Sequence, residues 1–149
     1  MHNLIYALRF TGKAELVGTA GNVLRAATTA PSVSLTSSVG PSGLAGTISP
    51  VPGAAAVFTS EVTFTSDAEF QEVGTITFGA GNVLHFSTVE SGYLAPSADP
   101  ACQHGVVAWR VDRGEGQFAG ATGLIPSNFF VDDQWGVVDH HFGVLHLPT

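Results

Sequence analysis

The nonapeptide "VFTSEVTFT", Val57 to Thr65, read with a period of two, puts Phe58, Val62 and Phe64 on one side and Thr59, Glu61, Thr63 and Thr65 on the other. Successive side chains of a β-strand point to opposite faces, so this is a strand with one apolar and one wet face. "LIYALRF", Leu4 to Phe10, follows the same rule: Leu4, Tyr6, Leu8 and Phe10 share a face, opposite Ile5, Ala7 and Arg9. Alternation predicts further strands at 22–29, 32–38, 43–48, 69–78, 83–90, 105–112, 117–131 (with a bend) and 136–147. Helical spacing is not found in any segment.

Turn chemistry punctuates these segments at Gly21-Asn22, Gly40-Pro41, Pro52-Gly53, Gly79 to Asn82, Gly114 to Gly116 and Asp132 to Gly136, at intervals that suit a barrel or a sandwich. "AGNVL" occurs at 20–24 and again at 80–84, each time leading into a strand, as expected where Gly-Asn hairpin chemistry is used twice. One connection is long. Ser91 to Gly105, "SGYLAPSADPACQHG", has two prolines and no periodicity, and is expected to cover one mouth of a barrel. A sheet closed on itself leaves no exposed edge. The expected fold is therefore all-β, one antiparallel barrel of eight or so strands spanning 1–149 as a single domain.

Composition agrees. The 149 residues are 44% apolar and 11% charged, with 18 Gly and 8 Pro, a mixture of short strands and turns. A chain of this length buries roughly 68–70% of its unfolded surface in one core. Twelve acids against five bases leave a net charge of −7, and Arg9, Lys13, Arg25, Arg110 and Arg113 are too scattered to make a basic stripe. Nucleic acid and anionic membranes are thus poor partners. The one cysteine, Cys102, permits no internal disulfide and fits a reducing compartment. The N-terminal stretch has no basic leader pattern, and no uncharged apolar run is long enough to span a bilayer. A cytoplasmic, unprocessed protein is expected.

"GEGQFAGATG" matches a dinucleotide fingerprint in letters only, because Gly120, Gly123 and Pro126 follow where a helix should open. Set in its longer context, "VVAWRVDRGEGQFAGATGLI", the same segment resembles the late β-hairpin of the allene oxide cyclase and dirigent families. Upstream, "TITFGAGNVLHFSTVESGYL" follows those families' order of strand, Gly-rich turn and strand. The resemblance covers residues 75–131 and implies a lipocalin-like barrel of eight antiparallel strands. In it Gly114 and Gly116 would make the hairpin turn, Phe118 would pack as the returning strand begins, and Gly120 and Gly123 would allow close backbone approach. The families' catalytic side chains lie on earlier strands that cannot be aligned with this chain, so none is carried over.

The histidines concentrate in "VVDHHFGVLHL", Val137 to Leu147. Alternation splits them: Asp139 and His141 fall on one face with Gly143, Leu145 and Leu147, while His140 and His146 fall on the other with Val138, Phe142 and Val144. His140 and His146 are then about 20 Å apart, too far to share an ion. Asp139 and His141 would need a third ligand such as Glu61, His85 or His104, and no metal and no cofactor are expected. A proton carrier asks only for one imidazole in a cavity with one partner. The face of Val138, Phe142 and Val144 is the bulkier and more apolar, so His140 is the candidate for the interior. If the register is the reverse, Asp139 and His141 take its place. Tyr6, among Leu4, Leu8 and Phe10, is expected inside, its hydroxyl paired with His140 or a ligand. Trp109, Phe86, Phe58, Phe64 and Tyr93 are the expected ligand-binding aromatics. Glu61 and His85 are expected outside, and Cys102 inert.

These features imply a hydrophobic small molecule bound in the barrel. The leading reading is a cofactor-free isomerase or cyclase that holds its substrate in a reactive conformer and moves a proton through His140, or Asp139 and His141, with Tyr6. The alternatives are a binding protein without turnover, whose cavity would hold no titratable group, and a structural oligomeric barrel. Apolar residues such as Val106, Ala108, Val137, Leu145 and Leu147 point to a homo-oligomer, dimer or trimer.

Overall fold

The computed structural model describes residues 1–149. Eleven strands follow one another: β1 (His2–Leu16), β2 (Val23–Ala30), β3 (Val33–Gly40), β4 (Gly43–Pro50), β5 (Ala56–Phe64), β6 (Glu69–Phe78), β7 (Val83–Thr88), β8 (Gly92–Pro96), β9 (Cys102–Glu115), β10 (Thr122–Asp132) and β11 (Gly136–Leu147). Eight of them form a closed antiparallel barrel in the order β1-β2-β5-β6-β7-β9-β10-β11, with β11 pairing back to β1. The expected all-β barrel is the fold observed. Strand β8 pairs beside β7 with β6 and β9.

Three details differ from the expected boundaries. The stretch 91–105 is not all loop: its first residues form β8, because Tyr93 to Pro96 find hydrogen-bonding partners on β9 from Val106 to Gln103. The bend expected within 117–131 is a single 3-10 turn, Gly116–Phe118, after which β10 starts afresh. Strands β3 and β4 pair only with each other and leave the barrel as a two-stranded arm. Their residues are almost all exposed, because the pair makes no ladder with any wall strand, and its apolar side, with Leu35, Val39, Leu44 and Ile48, is left largely uncovered.

Alternation decides what fills the barrel. Phe10, Ile76, Leu84, Phe86, Trp109, Phe118, Ile125 and Leu145 are fully buried and share one continuous core with Phe58. Phe58 stacks on Phe86 at 5.3 Å, and Phe86 meets Trp109 at 4.6 Å. Room for these rings comes partly from glycines in the wall. A Cβ on Gly74 would meet the Thr59 carbonyl oxygen and come within 2.8 Å of Ser60 Cα and 2.9 Å of the Phe86 ring. The two turns built from "AGNVL" both place their Gly, Gly21 and Gly81, at positive φ, where a side chain would be strained. Gly123, on the segment with the family resemblance, lies against the Val144 carbonyl and Leu145 Cα.

The wall at Gly74 cannot give, since two of the three obstructing atoms are backbone. Gly74→Ala is expected to lower stability in urea unfolding by about 1–3 kcal/mol, the usual cost of overpacking. Gly46→Ala, in the open on the arm, is expected to leave stability unchanged or raise it by up to about 1 kcal/mol, because it restricts only the unfolded chain.

Candidate functional site

The barrel interior is not purely apolar. Ser60, Glu72, Thr88, Ser127, Asp139 and His141 are all buried, each on the inward-facing set of its strand. On β6 that set runs Phe70, Glu72, Gly74, Ile76, Phe78, a single carboxylate among apolar residues. Its two oxygens are separately held: the Ser60 hydroxyl donates to Oε1 at 2.6 Å and the Trp109 indole N–H donates to Oε2 at 3.1 Å. The backbone is fixed too, with Glu72 N–H donating to Thr88 Oγ1 at 2.7 Å and that hydroxyl donating back to the Glu72 carbonyl at 2.9 Å.

Burial pushes the Glu72 pKa up to about 8, because a charged carboxylate loses its hydration there. The Ser60 hydrogen bond opposes the rise, the charge of Asp139 adds to it, and the Trp109 bond opposes it again. Glu72 is therefore mostly protonated at neutral pH.

Asp139 sits on β11 with both oxygens occupied. Ser127 donates its hydroxyl to Oδ1 at 2.7 Å, and His141 Nε2 lies 2.8 Å from Oδ2. Both oxygens are therefore engaged, one by a hydroxyl and one by an imidazole. A hydrogen bond to that carboxylate oxygen calls for a proton on Nε2, and Nδ1 has no partner. The imidazole stacks on Phe10 at 4.2 Å and meets Trp109 and Phe58 edge-on at 4.9 and 5.3 Å. It is a wedge in the aromatic core, orienting Asp139 from behind.

Glu72 and Asp139 line the same cavity, at the end of the barrel bounded by the β1–β2 and β10–β11 turns. Its volume is about 60 Å³, and besides these carboxylates only Thr28 is polar among its 15 lining residues, 12 of which are hydrophobic. A single water needs about 10–15 Å³, so the space takes a few waters or a small fragment of a ligand, and anything larger must move the rim. Leu94, Phe129, Val131 and Trp135 contribute to the lining. Trp135 projects from the tight β10–β11 turn at positive φ. Asp132 pins that turn by accepting the N–H groups of Gln134 and Gly136 at 2.9 and 2.7 Å.

The residues singled out from sequence separate clearly. Phe58 and Phe64 line the cavity, and Leu94 beside Tyr93 does so as well. Phe86 and Trp109 lie deeper, Trp109 reaching the cavity only through its bond to Glu72. Asp139 and His141 point inward. His140 does not: it is exposed, opposite Arg9 on one side and Asn128 on the other. The interior placement expected for it is corrected, and with it the pairing to Tyr6. The cause is that the middle of β11 carries bulky apolar groups outside (Val138, Phe142, Val144) and a carboxylate, an imidazole and a glycine inside, while the inward apolar contacts come from its ends, Val137, Leu145 and Leu147, which are buried rather than part of the expected outer patch. Tyr93 is likewise corrected, since it faces outward at 51% exposure. Tyr6 is inside but away from the cavity. Its ring lies across Gly143 and edge-on to Phe78 at 5.3 Å, and its hydroxyl has no partner. Burial, with a further push from Asp139, raises its pKa, so it holds its proton throughout the ordinary range.

Glu72 is the residue that sequence reasoning missed. The signal was present: "EFQEVGTITF" alternates, and Glu72 is the one charge on its apolar face. Outside the barrel, Glu61 is exposed and His85 Nε2 pairs with Glu115 at 2.8 Å. Cys102 has only a carbonyl near its sulfur. Nowhere do three His, Cys, Asp or Glu side chains converge to hold a metal ion.

No family model matches the chain, and no curated protein matches it at a significant level. Among solved structures, a pterocarpan synthase dirigent protein superposes on it with a TM-score of 0.51 at 14% identity, over 100% of this chain and 88% of that one. The likeness is one of fold: the chain has a dirigent-like eight-stranded barrel.

Proposed function

We propose that this barrel is a cofactor-free enzyme, an isomerase or cyclase, that moves a proton on a hydrophobic small molecule held at its cavity. The observation that carries this reading is the pair of differently held carboxylates in one apolar space. Glu72 keeps its proton up to about pH 8 and can act as general acid. Asp139, held by Ser127 and His141, can act as base. A carboxyl kept protonated by burial, facing a second carboxyl held by other partners across one cavity, is an arrangement that acid/base chemistry can use.

In the proposed reaction the substrate places a carbonyl or hydroxyl oxygen at Glu72 and an acidic C–H or O–H at Asp139. Asp139 takes that proton as Glu72 gives up its own, so the substrate keeps its formula and only its bonding changes. The new charge on Glu72 is received by the Ser60 hydroxyl and the Trp109 N–H already aimed at it. Proton exchange between the two carboxyls through the shared cavity restores the starting state. The apolar wall folds the rest of the molecule into the reactive conformer. The similar dirigent protein is named as a pterocarpan synthase, which agrees with a barrel of this shape housing a ring-forming reaction. A passive carrier is the weaker reading, because two ionisable groups buried among phenylalanines raise the cost of a dry pocket.

The test combines binding with turnover on a panel of hydrophobic phenols and ketones. Quenching of Trp135 and Trp109 fluorescence reads ligand entry, and chiral chromatography reads product. Glu72→Gln and Asp139→Asn are each expected to keep binding while losing about 10²–10⁴-fold in kcat. The wild-type rate is expected to fall as pH rises through about 8, with the loss of the Glu72 proton. His140→Phe, being outside, should leave kcat unchanged. Full turnover in Glu72→Gln would remove the proposal.

Stability carries a separate signature of the same group. An unfolded glutamate releases its proton near pH 4.5, whereas folded Glu72 keeps it to about 8. Its contribution to stability is therefore complete below pH 4.5 and is lost progressively as pH climbs to 8, on the order of a few kcal/mol in all. Wild-type unfolding free energy is expected to decline between pH 5 and 8. In Glu72→Gln that decline should flatten, a comparison that urea titrations at several pH values measure directly.

A further inference from the structure

Among the inward residues of β2, Leu24, Ala26, Thr28 and Ala30, one carries a hydroxyl. Thr28 is 3% exposed, and its Oγ1 has no hydrogen-bond partner. Every other buried serine or threonine is used within the wall: Ser60 donates to the Glu72 carboxyl, Thr88 to the Glu72 carbonyl and Ser127 to Asp139. A buried hydroxyl left unpaired is unfavourable, and a valine would fill the same space without that penalty. A side chain that weakens the fold at a place where a simpler one would strengthen it is the usual mark of a residue kept for function.

Thr28 lines the cavity that Glu72 and Asp139 share. In the barrel order β11-β1-β2-β5-β6 its strand is two steps from that of Asp139 and two from that of Glu72. On one side, the Glu72 carboxyl is bonded to Ser60, which stands opposite Ala26, the next inward residue along β2. On the other, Thr28 stands opposite Gly12, and Asp139 opposite Phe10, the next inward residue along β1. Gly12 puts no side chain between them, and a Cβ there would strike the Ala27 carbonyl oxygen and come within 2.8 Å of Thr28 Cα. Two strand spacings of about 4.8 Å and one inward step of about 6.6 Å set the Thr28 and Asp139 Cα atoms roughly 12 Å apart along the wall. That is too far for the two side chains to bond directly, and near enough for one small head group to touch both. Burial then falls toward the rim: Thr28, Asp139 and Glu72 are buried, Leu94 and Phe129 half-buried, and Trp135 39% exposed. Polarity lies deep and hydrocarbon lies at the mouth.

We infer that Thr28 selects and orients the ligand: its hydroxyl holds a neutral hydroxyl or carbonyl oxygen on a hydrophobic molecule that enters by that end, its hydrocarbon body resting on Leu94, Phe129 and Trp135. A threonine hydroxyl both donates and accepts, so an alcohol and a ketone are both taken. A hydrocarbon of the same shape leaves the hydroxyl unpaired and is disfavoured relative to them. The head is neutral, since an anion would be placed between two acidic side chains. The inference rests on the reading of this cavity as the ligand site, and not on turnover there.

Equilibrium dialysis with four probes on one carbon skeleton, indane, indanone, indanol and aminoindane, tests it on the full chain. In Thr28→Val the affinity for indanone and indanol relative to indane is expected to fall about tenfold, the effect of one hydrogen bond. Thr28→Ser, which keeps the hydroxyl, is expected to keep the wild-type ratio. Without ligand, Thr28→Val is expected to unfold at the same urea concentration as wild type or a higher one, because it removes an unpaired polar atom from the interior. An unchanged ratio in Thr28→Val would overturn the inference. So would equal weakening of all the probes, which would make Thr28 a packing residue, or a lowered urea midpoint in Thr28→Val, which would make its hydroxyl a support of the fold. Tightest binding of aminoindane would assign selection to the carboxyls and overturn it, as would failure of all four probes to bind. Only binding is read, so full turnover in Glu72→Gln would remove the proposed chemistry and leave this result standing, and an unchanged ratio in Thr28→Val would do the reverse.

Discussion

The ladder between the first and last strands is the constraint on which the site depends. It runs without a break from His2 opposite Leu147 to Lys13 opposite Gly136, and it determines which side of β11 faces the interior. Side chains alternate with period two, so a slip of one residue would exchange the whole set. His140, Phe142 and Val144 would enter the barrel, while Asp139 and His141 would go to water. The observed register is held by what lies inside: Phe10 stacks on His141, Tyr6 lies over Gly143, and Ser127 from the next strand bonds Asp139. The slipped arrangement would press the Phe142 ring into the space that Gly143 leaves for Tyr6.

The barrel was legible because closure needs only alternation and turns, and both are written in local sequence. Leu4 to Phe10 and Val57 to Phe64 display it plainly, and the Gly-Asn turns mark where the chain reverses. The site was less legible because it depends on the exception to alternation. Asp139 and His141 were recognised as a face, yet hydrophobicity assigned that face to the outside, since Val138, Phe142 and Val144 looked like the better core. Local alternation shows that 105–112 and 136–147 carry apolar residues on both faces, but not which face of β11 the barrel encloses. Glu72 was hidden for a related reason: one acid on an apolar face looks like noise until Ser60 and Trp109, from two other strands, are seen to point at its oxygens.

Energetically the interior is a compromise between filling and polarity. Rings and aliphatic side chains supply the burial that holds the barrel together, and the polar groups survive among them because nearly every one is bonded. Thr88 serves the backbone of Glu72, Ser60 and Trp109 serve its carboxyl, and Ser127 and His141 serve Asp139. The unpaired atoms are few: the Tyr6 hydroxyl, the Thr28 hydroxyl and His141 Nδ1. Thr28 lines the cavity, where an incoming ligand can meet it, whereas the other two lie among aromatic rings. That distribution concentrates polarity at one end of the barrel and leaves the other end to packing alone.

The same first-to-last ladder brings the two chain ends together, with His2 beside Leu147. The order in which the strands are connected is therefore not imposed by the barrel itself. A short linker from Thr149 to Met1, with new termini opened at the Pro41–Ser42 tip of the arm, would preserve every barrel pairing and give each arm strand a free end. In such a circular permutant the wall and its buried carboxylates would form from one continuous run of strands. The arm would no longer be a hairpin, so the fold of the barrel and the behaviour of its appendage could be studied as separate properties of one sequence.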